Sequence, residues 1–207
     1  TGASPTAPTI PALASTNLLT QTRRSTISTG AGAGGLAYIR ANQTECWRGN
    51  AAGLGGYYAV FRFALSTLQT GMRVFVGLGD TVANPTNVDP TTSTTIGKMG
   101  LAINASTGNW NFVTNVAASA PTITALGANF PVNTTALLEL VLFAAPNDAN
   151  VGYRVTNWST NQQTSGTVTT NFPANTTFLI PQMWCTNNAT AAAVTLDFIS
   201  TYLETDY

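Results

Sequence analysis

Histidine does not occur anywhere in this 207-residue sequence, and its absence removes whole chemistries. Ser–His–Asp and Cys–His nucleophilic arrangements are excluded, and so is the commonest general base. Charge is scarce as well: 8% of residues are Asp, Glu, Lys or Arg, against roughly 25% in ordinary domains. The two signs cancel, so there is no electrostatic case for nucleic acid or an acidic membrane. No apolar run reaches the length of a membrane span, and the first residues carry no secretory signal pattern. No nucleic-acid partner and no membrane insertion are expected. Cys46 and Cys185 are the two cysteines, too few for a disulfide framework. They read either as a bridge between the first and last thirds or as two buried free thiols. Without histidine or a CxxC pair, zinc lacks a ligand set.

What fills the deficit is Thr, Asn, Ser, Gly and Ala, beside an apolar fraction of 44%. Disorder is a poor explanation, because the apolar residues alternate with polar ones. The clearest stretch is YYAVFRFALSTLQTGMRVFVGL at 57–78. Tyr57, Ala59, Phe61, Phe63 and Leu65 form one period-two set, and Met72, Val74, Val76 and Leu78 form another. Aromatic and β-branched residues at that period mark strands with one face in a core. The two runs, joined by residues 66–71, read as an antiparallel hairpin. If both apolar sets face inward, Arg62, Arg73 and Phe75 share the outer face and suit a subunit contact, since Arg and aromatics are enriched at interfaces.

Along the chain, residues 1–14 (TGASPTAPTIPALA) are rich in Pro, Thr and Ala and read as an extended arm. Residues 15–27 suggest a first packed strand, and GAGAGG at 30–35 a flexible break. The division expected is an arm and linker over 1–35 and a sandwich over 36–207. Residues 38–47 suggest a short strand pair. Strands follow at 96–104, 110–114, 137–145, 151–157, 164–170, 178–184 and 194–203, with tight turns at STGN (106–109) and around 159–162. Ten or more short strands at roughly ten-residue spacing, without a convincing helix, argue an all-β, antiparallel sandwich of jelly-roll type. NFPVNTT (129–135) echoes in NFPANTT (171–177). Both read as turns in which Pro fixes φ, Asn tolerates the left-handed region and Thr opens a strand.

Sugar contact needs aromatic platforms beside amides and hydroxyls. Trp158 falls in a polar hairpin turn with Asn161 and Gln162, and Trp110 follows the turn at Asn109. These five are the candidate ligand-binding residues; Trp47 and Trp184 read as core. Residues 80–89 offer Asp80, Asn84, Asn87 and Asp89 as hard oxygen donors, but their spacing fits no fixed loop, so no metal and no cofactor is assigned. Glycoside hydrolysis needs two carboxylates across a cleft; no E-x-D-x-x-E occurs, and Glu204 and Asp206, which share a strand face at i, i+2, read as a solvated edge. No catalytic residue is assigned, and no enzymatic activity is expected.

RVFVGL (73–78), NPTNVDP (84–90), LFAAPN (142–147), YRVTN (153–157), TTNFPANTT (169–177) and the closing YLETDY (202–207) resemble, in order and spacing, a domain of bacteriophage tail-fibre and other virion structural proteins. The resemblance covers roughly 47–207. It implies a concanavalin-like sandwich, a place on the virion and a homotrimer, and it carries no catalytic residues. The expected function is host-surface glycan attachment by a fibre or spike module, with the N-terminal arm engaging other virion proteins. The alternative is a capsid or tail decoration protein with a purely structural role.

Overall fold

The computed structural model describes residues 7–205. Twelve strands form two six-stranded antiparallel sheets, packed face to face. In chain order they are β1 (Ser25–Ser28), β2 (Leu36–Arg40), β3 (Tyr57–Thr67), β4 (Arg73–Gly79), β5 (Lys98–Ile103), β6 (Asn111–Asn115), β7 (Thr122–Ala125), β8 (Leu138–Ala144), β9 (Val151–Asn157), β10 (Gln162–Val168), β11 (Ile180–Thr186) and β12 (Thr195–Thr205). One sheet runs β1-β12-β3-β8-β9-β10 and the other β2-β11-β4-β5-β6-β7. The all-β antiparallel sandwich read from the strand spacing is the fold observed.

Period-two patterning places side chains as expected. Phe61, Phe63, Val74, Val76, Leu138, Leu140, Leu142, Met99 and Leu101 are buried in one core between the sheets. The β5–β6 and β9–β10 hairpins also form as read. The partner of β3 does not. β3 pairs with β12 and β8, and β4 with β11 and β5, so residues 68–72 cross between sheets instead of closing a hairpin. Alternation fixes which face is dry, and two strands satisfy it equally well side by side or across the core. Arg62 and Arg73 therefore lie on opposite outer faces. Phe75 is buried on the second sheet against Trp184, Ala102 and Val113, so the shared interface expected of Arg62, Arg73 and Phe75 is not formed.

The N-terminal reading also changes. Residues 15–27 hold a one-turn helix, α1 (Leu18–Gln21), whose Asn17 cap accepts from the Thr20 amide at 2.9 Å, followed by β1. β1 pairs with β12, and Thr9 bridges Thr26, so the sandwich begins well before residue 36. GAGAGG is tied down: the Asn187 side chain donates to the Gly30 and Gly32 carbonyls. A Cβ on Gly35 would come within 2.5 Å of the Thr29 oxygen. Beyond β2, residues 38–47 contribute a single bridge between Cys46 and Leu179. Residues 1–6 of the arm lie outside the described residues, as does Asp206.

Cys46 and Cys185 are both free and buried, and burial pushes each thiol up to about 12. The two NFP turns sit at opposite ends of the sandwich, before β8 and β11, each with its phenylalanine buried. The left-handed role read for asparagine is taken by Asn171, at φ 55°, whereas Asn133 turns the chain through its side chain, Oδ1 accepting from the Thr135 and Ala136 amides.

Candidate functional site

The outer faces of the two sheets differ. On the second sheet, residues 80–96 fold over Phe75 and Trp184. Arg40 donates to Asn84, and Arg73 and Thr186 to Asn87, which fastens the loop down. On the first sheet, among the described residues, no loop crosses the centre of the face. The register lines its outward side chains up in rows across the strands: Ser200, Arg62, Glu139, Thr156, Gln163; then Tyr202, Val60, Val141, Arg154, Ser165; then Glu204, Tyr58, Phe143, Gly152, Thr167.

At the middle of this face Glu139 is 3% exposed. Its Oε2 accepts from Arg62 Nε at 2.7 Å, and Arg154 lies 3.6 Å from Oε1. Arg62 also stands over the Trp158 ring, 5.9 Å from its centroid, within cation–π range. Two cations against one carboxylate leave a local positive excess in a chain of zero net charge. Around this centre Trp158, Tyr58, Phe143 and Tyr202 are between 39% and 54% exposed. The outer edge of the Phe143 ring lies against Gly152, where a Cβ would come within 2.2 Å of it. The Tyr202 hydroxyl donates to Glu204 Oε2 at 2.9 Å, and that bond raises its pKa above the usual tyrosine value.

Two hollows flank the ion cluster. One of about 260 Å³ lies between Trp158, Arg62, Leu137, Leu18 and Ile199. Ile199 reaches it because β12 carries a register shift between Phe198 and Ser200, and such bulges re-aim a side chain. The other, about 340 Å³, lies between Tyr58, Phe143, Arg154, Ser165 and Thr167. From residue 158 back to 152 is six residues of extended chain, or about 20 Å at 3.3 Å per residue. The face therefore suits an extended ligand touching both hollows.

Of the sequence candidates, Trp158 is on this surface. Asn161, in the left-handed region at φ 55°, and Gln162 are exposed at the β9–β10 turn beside it. Asn109 is exposed and bridges Pro131. Trp110 is only 2% exposed, packed edge-on against Phe63, so it is a core residue and offers no platform. Trp47 is half-buried and stacks on Phe178 at 5.2 Å rather than lying in the core. Trp184 is buried, outside the main core. The sequence reading missed Tyr58, Phe143, Arg154 and Tyr202. Their signal was the outward half of each alternating strand, legible only once the strands are ordered.

The oxygen-rich loop is not convergent. Asp80 accepts from the Gly97 amide, Asn84 from Arg40, Asn87 from Arg73 and Thr186, and Asp89 from Thr91 and Asn104. Among the described residues no three His, Cys, Asp or Glu side chains cluster in a way that could hold a metal. Asp197, fully buried, is paired with Arg24 at 3.1 Å. Burial raises its pKa, opposed by its hydrogen bonds and by the Arg24 charge.

No protein-family model and no curated protein matches the chain. Solved structures do match it in fold. The carbohydrate recognition domain of Emp46p, potassium-bound, superposes with a TM-score of 0.59 at 8% identity, over 86% of this chain and 82% of that one. A seed lectin of Lotus tetragonolobus gives 0.55 at 12%, over 87% and 86%. Alginate lyase A1-II′, of polysaccharide lyase family 7, gives 0.54 at 9%, over 88% and 80%. At such identities the likeness establishes the concanavalin-like sandwich. The third match corrects the expectation that the chain has no enzymatic activity, because the same sandwich carries a polysaccharide lyase. The fold therefore does not separate binding from catalysis.

Proposed function

We propose that this chain binds a glycan along the outer face of β12, β3, β8, β9 and β10, as a host-attachment module of a phage virion. One observation carries the reading: four exposed aromatic rings surround an arginine pair on a face that, among the described residues, stays open at its centre. Aromatic faces stack on the apolar side of sugar rings, and hydroxyls, amides and guanidiniums meet their oxygens. The sugar-recognising structures that share the fold support the same class of ligand. The tail-fibre resemblance of residues 73–78, 84–90, 142–147 and 169–177 supports a place on a fibre or spike. In that setting the module acts as a homotrimer, with residues 7–14, mostly exposed, reaching a neighbouring virion protein. Weak single-site binding then gains avidity from simultaneous engagement.

The test is a glycan array with the purified chain, followed by calorimetry on the best ligand. Trp158→Ala is expected to weaken binding about 30-fold, the scale of an aromatic hot spot, while the melting temperature stays close to that of the parent. Light scattering measures the trimer, and blocking of particle adsorption by the free chain measures attachment. Turnover of the bound oligosaccharide is followed in the same samples. Binding to no glycan, with intact fold and assembly, would replace this reading with the decoration role.

A further inference from the structure

On the opposite face, the 80–96 loop does not lie flat on its sheet. A hollow of about 330 Å³ remains between them, with Thr81, Pro85, Val88 and Ile96 on the loop side and Gln182 and Trp184 on the sheet side. Both sheet residues are 2% exposed. Gln182 Nε2 and Trp184 Nε1 are nonetheless without a hydrogen-bond partner. Buried donors are normally satisfied, and each exception asks for an explanation. The chain goes out of its way to hold Gln182 here. A Cβ on Gly79 would come within 1.7 Å of Nε2, so glycine lets the carboxamide lie against β4. The loop itself is fastened by Arg40, Arg73 and Thr186, which keeps the roof in place above the two donors.

No charged side chain lines the hollow. An ionic ligand would leave its solvation without a counter-charge, so the occupant is neutral. It must bring acceptor oxygens to two N–H groups and an apolar surface to Pro85, Val88 and Ile96. We infer that this hollow is a second ligand site, taking one neutral sugar ring, a hexose or N-acetylhexosamine unit, whose oxygens accept from Gln182 and Trp184. Hydroxyls both donate and accept, so the same ring also meets the threonine and asparagine groups of the loop. The site is independent of the aromatic face on the first sheet.

Each site has its own tryptophan, so the test separates them. Uniformly ¹⁵N-labelled full chain has four indole N–H resonances, one per tryptophan, assigned by single Trp→Phe variants. Titration with N-acetylglucosamine and with galactose is expected to shift the Trp184 resonance saturably with at least one of them. Glucuronate should bind at least about tenfold more weakly, and Gln182→Met and Trp184→Phe should each weaken the neutral sugar about tenfold, one lost hydrogen bond each. An unmoved Trp184 resonance with both neutral sugars overturns the inference, as does glucuronate binding as well as they do. A shift at Trp158 alone leaves the proposed glycan face standing and removes this site; a shift at Trp184 alone does the reverse. If Trp184→Phe disturbs the buried Trp110 resonance, Gln182→Met carries the decision.

Discussion

Replacing Glu139 by glutamine asks what holds the aromatic face together. The carboxylate is buried, while the Arg62 and Arg154 side chains that meet it are 48% and 42% exposed. Breaking a buried pair costs about 3–5 kcal/mol, and breaking an exposed one about 0–1 kcal/mol. A buried carboxylate under two half-hydrated guanidiniums falls between, at about 2 kcal/mol. Glutamine keeps one oxygen for Arg62 but turns an NH₂ group toward Arg154, donor against donor. For a chain of this size each kcal/mol moves the melting midpoint about 2–4 °C, so a fall of about 4–8 °C is expected by calorimetry. Glycan affinity should drop about tenfold in the same variant, because the two guanidiniums are no longer aimed. A cycle with Arg62→Gln isolates the pair, and a coupling of at least about 1 kcal/mol is expected. Additivity within about 0.3 kcal/mol, together with an unchanged midpoint, would refute the view that Glu139 organises this surface.

Gly152→Ala pushes a methyl into the Phe143 ring and should lift it off the sheet. Glycan binding is expected to weaken while stability falls by about 1 kcal/mol, read by calorimetry and thermal melting; unchanged binding would remove Phe143 from the site. Lys98 is 1% exposed, and burial lowers its pKa from 10.5 to about 8, against the pull of Asp80 and Asp89. Above pH 8 the folded chain has released a proton that the unfolded chain still holds, so stability rises with pH. From pH 8 to 9 the share of Lys98 is about 1 kcal/mol, read in denaturant titrations as the difference in slope between the parent and Lys98→Met. The buried thiols, raised from 9.0 to about 12, oppose this from pH 8 upward and dominate above pH 9, because they keep protons that the unfolded chain loses. Cys46 and Cys185 should resist a thiol reagent in the native chain and react fully on denaturation; reaction of either without unfolding would contradict their burial.

The sequence reveals the inside of this sandwich better than its outside. Phe61, Phe63, Val74 and Val76 are buried as their alternation requires, since period two assigns a face without reference to the neighbouring strand. The outer surface depends on strand order, and strand order is set by long-range pairings such as β3 with β12, separated by more than a hundred residues. Arg62 and Arg73 were therefore placed together when they are a whole sandwich apart. Trp110 misled for a related reason. A turn residue at a sandwich end looks exposed in sequence, yet its ring packs edge-on against Phe63 while Asn109 takes the surface. Trp158, in the same kind of turn, does remain half open. Near the N-terminus a packed strand is legible within residues 15–27, but its bounds and the helical turn before it are not, because a Thr- and Ser-rich edge strand such as β1 lacks the apolar contrast that marks where a strand begins.

The charges separate the two faces most clearly. In a chain with eight basic residues, most fasten segments together. Arg24 holds Asp197, Arg40 and Arg73 hold the 80–96 loop, Arg48 donates to the Asp148 and Pro173 carbonyls, and Lys98 donates to Ser93. Arg62 and Arg154 are different. They converge on one carboxylate already satisfied at 2.7 Å by the first of them, and both keep nearly half their surface in water. A sheet needs no second arginine there for its own stability, because Arg62 already holds the carboxylate and an added half-exposed partner at 3.6 Å contributes little more. Exposed aromatic rings in the same rows are a liability for a protein with no net charge to keep copies apart. Two features that fold stability does not call for, on the sheet face whose centre the described residues leave open, are both accounted for by the proposed glycan, which has rings to stack and oxygens to accept.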